Sequence, residues 1–131
     1  MEITDYNELN ALNSLLGKIK FDKDLDFESF QLFVGSPFIA NIYQRVNKDF
    51  REESSRRGYS IHPGSGVFEF HSETGETLKQ RIFRLTDSEK EALVQQDALE
   101  DYLKTLLTPL TYEEKEYEQL LKFAKQEVSK A

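Results

Sequence analysis

The sequence predicts an α+β fold. It should be a mainly helical single domain over 1–131, with about five helices, one β-hairpin and a C-terminal helical hairpin. Three observations carry this reading. Apolar residues recur at three- and four-residue spacing through most of the chain. Patterns that cap helices stand before several of those runs. One stretch after Gly58 changes to strand-forming residues set between turn residues.

The elements follow in order. Asp5 and Glu8 have capping-box spacing, and Leu9, Leu12 and Leu16 form an apolar stripe, so a helix is expected over 5–16 with Gly17 as its left-handed cap. Lys18-Ile19-Lys20-Phe21 then alternates, which gives either a third short strand or a helix that runs on through Gly17 to Lys20. Asp26 opens a short helix over 27–34, with Phe27, Phe30, Phe33 and Val34 inward, and Gly35 ends it. Ser36-Pro37 reads as an N-cap followed by proline at the first helical position, where the missing N–H costs nothing. The next helix should run from 37 to about 56. Its buried side is expected to hold Phe38, Ile39, Ile42, Tyr43, Val46 and Phe50, with Gly58 as its stop.

His62-Pro63-Gly64-Ser65-Gly66 reads as a loop, Val67–His71 as a strand, Glu73-Thr74-Gly75-Glu76 as a turn and Leu78–Leu85 as the returning strand. Thr86-Asp87-Ser88-Glu89 opens a helix over about 87–107, which Pro109 breaks. Thr111-Tyr112-Glu113-Glu114 opens the last helix, to about 128. The short connection makes these two a helical hairpin.

Composition removes several function classes. There is no cysteine, so thiol catalysis, disulfides and cysteine-based zinc sites are excluded. Aromatic residues make up 12%, too many for a disordered acidic chain. No apolar run approaches the roughly 18 residues of a membrane span, and the N-terminus is acidic rather than a basic-then-apolar leader, so a cytoplasmic protein without a membrane partner is expected.

Catalytic, metal and cofactor-binding residues are expected to be absent. His62 and His71 are the only histidines. With Glu69 they would make a His/His/Glu site, but the spacing matches no known ligand motif. The glycine-rich loop lacks the Lys-Ser/Thr that a phosphate-binding loop requires, and Ser65 lacks a nucleophile-elbow context. The chain therefore reads as a non-enzyme.

Charge is uneven. The total is −7, yet all six arginines lie between 45 and 84, where the balance is +2. A face for an anionic or protein partner is expected there: Asn41, Gln44, Arg45, Lys48 and Arg51 on the 37–56 helix, with Lys79, Arg81 and Arg84 on the second hairpin strand. The order of helix, short strand, helices and hairpin resembles a winged helix, and the rhythm of the C-terminal pair from Leu85-Thr86 onward is similar to the tail helices of MarR-type winged-helix regulators. That resemblance implies a DNA-binding regulator. Against it, Asn41 and Gln44 would fall on reading-helix core positions, residues 27–58 are one helix short of the MarR arrangement, and acids occupy the wing tip. The first expectation is thus a regulatory or interaction protein of adaptor, inhibitor or immunity type acting through protein contacts, with DNA binding as the alternative. The apolar stripes of the two C-terminal helices also suit a homodimer.

Overall fold

The computed structural model describes residues 2–60 and 66–130. Among them are seven helices: α1 (Tyr6–Phe21), α2 (Phe27–Val34), α3 (Pro37–Arg56), α4 (Glu73–Phe83), α5 (Asp87–Gln95), α6 (Leu99–Leu107) and α7 (Glu114–Val128). No strand is present among the described residues, so the expected α+β class and its hairpin are corrected to an all-helical fold.

The N-terminal helices form where their caps predict. The Asp5 carboxylate accepts from the Glu8 amide at 3.0 Å, and Ser36 Oγ accepts from the Ile39 amide at 3.3 Å. Helix α1 runs through Gly17 instead of stopping there, so the alternating segment 18–21 is helical. The glycine serves packing: a Cβ at that position would lie 3.0 Å from the Tyr43 hydroxyl. Helices α1 and α3 pair antiparallel, with Tyr6 bonded to Ser54 and Asn13 to Asn47, each at 3.1 Å. Leu16, Tyr43 and Val46 are buried between them.

The second hairpin strand is helix α4. Ser72, not the turn at 73–76, is the decisive signal: its Oγ accepts from the Gly75 amide at 3.0 Å and starts a helix. Thr77, Leu78, Arg81 and Ile82 are buried, a helical period that the expected alternation missed. The first strand is absent as well: among the described residues only Val67 pairs, in an isolated parallel bridge with Thr111, and the chain turns over 69–72, where the Ser72 amide donates to the Glu69 carbonyl at 3.1 Å. The Phe68 amide donates to the Thr111 carbonyl at 2.7 Å, the Thr111 amide to the Gly66 carbonyl at 2.8 Å and the Phe70 amide to Glu116 Oε2 at 3.2 Å. Phe68 is thereby fixed in the main core with Leu78, Ile82, Leu103, Leu106 and Leu120.

The expected helix over 87–107 is two. Thr86 and Glu89 form a complete capping box for α5, but the chain turns at Asp97, whose φ is 51°. Aspartate tolerates that left-handed region better than most residues, which permits the break. Thr111 does not cap α7, which starts three residues later. The stripes expected to pair across a dimer, Leu103, Leu106, Tyr117, Leu120 and Ala124, are buried in the chain's own core. No helix of the described residues is long and apolar enough to cross a membrane.

Candidate interaction surface

Helix α3 carries the first half of the expected face. Asn41, Gln44, Arg45 and Lys48 are all exposed. Asp49 and Glu52 are exposed as well, so the stretch is mixed in sign and not a basic stripe. Arg51 is less exposed, and its Nε donates to Asn47 Oδ1 at 3.1 Å.

The second half is not a face. With the hairpin replaced by α4, Lys79 lies over the Phe70 ring at 3.6 Å and pairs with Glu76 at 2.8 Å. Arg81 is only 3% exposed. It donates to the Asp22 carbonyl at 3.0 Å and stacks on Phe27, while its buried Nε has no partner. Burial, followed by repulsion from Arg84, lowers its pKa. Arg84 is exposed and lies 5.2 Å from the same Phe27 ring. Arg81 and Lys79 therefore act in packing.

The α1–α3 pair has two flanks. On one, Asn13, Tyr43, Asn47 and Arg51 meet Gly66, Pro109 and Leu110 around a cavity of about 170 Å³. On the other, a groove of about 640 Å³ is open. Leu9, Leu12, Ile42 and Val46 line it together with the charged Arg45, Asp49, Glu52, Glu53 and Arg56. Among the described residues only Glu2, Ile3 and Thr4 add to its walls from outside the two helices.

Large apolar side chains extend from this region into solvent. Phe38 is 78% exposed, Ile42 39%, and Leu15, one turn past Leu12 on α1, 55%. At the end of α2, Leu32 is 83% exposed and Phe33 is also exposed. The placement of Phe33, Phe38 and Ile42 in the core is thus corrected. The reason is geometric. The apolar run of α3 spans more of its circumference than one neighbouring helix can cover, and α1 covers the side of Ile39, Tyr43 and Val46. The sequence signal that could have found the surface is the excess width of that stripe, together with Leu32 on the polar side of α2.

Lys20 is the other unusual group. It is buried, and its Nζ donates to the Thr105 carbonyl at 2.6 Å and to the Thr108 carbonyl. The helical partner of the Thr105 carbonyl would be the N–H of residue 109, which is proline and has none. Lys20 supplies that missing donor and closes the end of α6. Burial lowers its pKa to about 7.

No group of three or more His, Asp or Glu that could hold a metal ion occurs among the described residues. His71 is exposed against the Phe70 ring, whereas His62 and Ser65 lie outside the described residues. No protein-family model matches the chain, and no curated protein or solved structure matches it.

Proposed function

We propose that this protein is a non-enzymatic interaction protein of adaptor, inhibitor or immunity type, and that it engages a protein partner through the apolar surface where α1, α2 and α3 meet. The observation that supports this most is the exposure of Phe38, with Leu32, Leu15 and Ile42, beside an open groove lined by both apolar and charged side chains. Scattered apolar residues are ordinary on protein surfaces, but a contiguous apolar area rimmed by charge is typical of binding sites. Aromatic anchors seated in pockets dominate the energy of such contacts.

Two observations weigh against the DNA alternative. The segment that would form a wing is helix α4, and Arg81 is buried within the fold. The exposed side of α3 also balances Arg45 and Lys48 with Asp49 and Glu52, which leaves little net attraction for phosphate.

The test is affinity capture from the native host with wild-type protein and with Phe38→Ser. The variant should fold with an unchanged melting temperature, because its side chain is mostly in water already. It should weaken capture of the specific partner by at least about tenfold. Equal retention by both proteins would overturn the assignment of this surface. A low-salt mobility shift with duplex DNA, lost in Arg45→Ala, would favour the alternative.

A further inference from the structure

Helix α3 carries a second stripe beside its buried one. Phe38, Ile42, Arg45, Asp49, Glu52 and Arg56 recur at steps of four, three, four, three and four residues. This is the repeat of helices that pack along one another at a shallow angle. All six are exposed, and all but Phe38 line the open groove.

The stripe complements itself when reversed. About a point midway between Arg45 and Asp49, Arg45 opposes Asp49, Ile42 opposes Glu52 and Phe38 opposes Arg56. Within the chain, Arg45 and Asp49 form no ion pair among the described residues, although they stand one turn apart. The basic residue precedes the acid, the less favourable order for a pair within one helix, so both charges are left for an external partner.

We propose that the groove is filled by a second copy of this chain, with the two α3 helices antiparallel across a two-fold axis. This names the partner of the surface assigned above and rests on that reading. Symmetry then makes the Arg45–Asp49 contact twice, close to the axis, where an isologous interface is most shielded from solvent. Phe38 of each copy reaches the far end of the other's groove and lies against the guanidinium of Arg56, which keeps its own-helix pair with Glu53 at 2.6 Å. The Ile42 side chain lies along the aliphatic stem of Glu52. A 20-residue helix gives a seam about 30 Å long.

Sedimentation equilibrium of the purified 131-residue chain, up to about 200 μM, reads this directly. Wild type should show twice the 15.3 kDa chain mass. Arg45→Asp and Asp49→Arg should each weaken the dimer by roughly tenfold or more, because each places like charges at the axis. The double variant Arg45→Asp/Asp49→Arg should restore it to within a few-fold, since reversal of both charges recreates the pair. Circular dichroism would confirm that each variant is helical. A wild-type mass of one chain, a dimer indifferent to the single variants, or absence of rescue in the double variant would each overturn the two-fold pairing. A monomer that still captures a foreign partner through Phe38 would overturn the second copy alone and leave the interaction reading in place. Loss of that capture in Phe38→Ser is a separate readout.

Discussion

Gly75→Ala should destabilise the protein by on the order of 3 kcal/mol, a large share of the roughly 5–15 kcal/mol that holds an ordinary domain together. Helix propensity predicts the opposite sign, since Ala is better than Gly by about 1 kcal/mol in a helix interior and Gly75 lies inside α4. Contact decides between them. A Cβ on Gly75 would stand 2.2 Å from the Phe70 carbonyl oxygen and 2.5 Å from that of Glu69. These are backbone atoms, so no rotamer change relieves the overlap. The chain at 69–70 has little freedom to retreat: Phe68 is fully buried, and the Phe70 amide is bonded to Glu116. Gly58→Ala is the internal control. Its φ is 77°, and an added methyl would meet nothing within 4 Å, so only the left-handed backbone cost of about 1–2 kcal/mol applies. Chemical denaturation of both variants checks the ranking, and a Gly75→Ala protein as stable as wild type would refute the close approach.

Lys20→Met should change its effect with pH. Folded Lys20 gives up its proton near pH 7, whereas the unfolded side chain keeps it to about 10.5. Between those values the unfolded chain binds more protons, so this group makes stability rise with pH. Below pH 7 both states are protonated, and the cost of burying the ammonium is fully present and constant. At pH 9 the neutral amine still donates to the Thr105 and Thr108 carbonyls, and its removal strands two acceptors at a cost of about 1–3 kcal/mol each. At pH 6 the variant also removes the buried charge, which offsets that loss. The stability difference between wild type and Lys20→Met should therefore move by on the order of 3 kcal/mol from pH 6 to pH 9, with wild type gaining. Subtracting the two curves cancels every other titrating group. Parallel curves would refute the perturbed lysine.

Local signals carried most of the helical architecture. Asp5, Ser36 and the Thr86–Glu89 box mark true starts, because a cap is a contact within four residues and needs nothing from the rest of the chain. The errors lie where distant contacts decide. Gly75 and its neighbours read as a turn because a glycine among polar residues usually is one, but this glycine answers to the close approach of 69–70. Val67–His71 reads as a strand, yet only Val67 pairs, with Thr111 in the link before α7, and the chain turns over 69–72. In the expected face, Asn41, Gln44, Arg45 and Lys48 are legible as solvent-facing from helical period alone. Arg81 is not, because an arginine enters a core only when a ring such as Phe27 and a carbonyl such as that of Asp22 receive it. Phe38 is the converse case: its hydrophobicity argues for burial, and only the width of α1 determines that it stays outside.

The tie between residues 66–72 and the start of α7 also shapes how the chain can fold. The α1–α3 pair and the α5–α7 region each assemble from segments near one another in sequence, as fast local events. Seating Phe68 is different, because its amide must find the Thr111 carbonyl across more than forty residues. That closure carries a loop entropy the helices alone do not face. The Phe68 amide should consequently exchange with solvent only when the whole core opens, and its exchange rate would report global unfolding from a segment with no regular secondary structure.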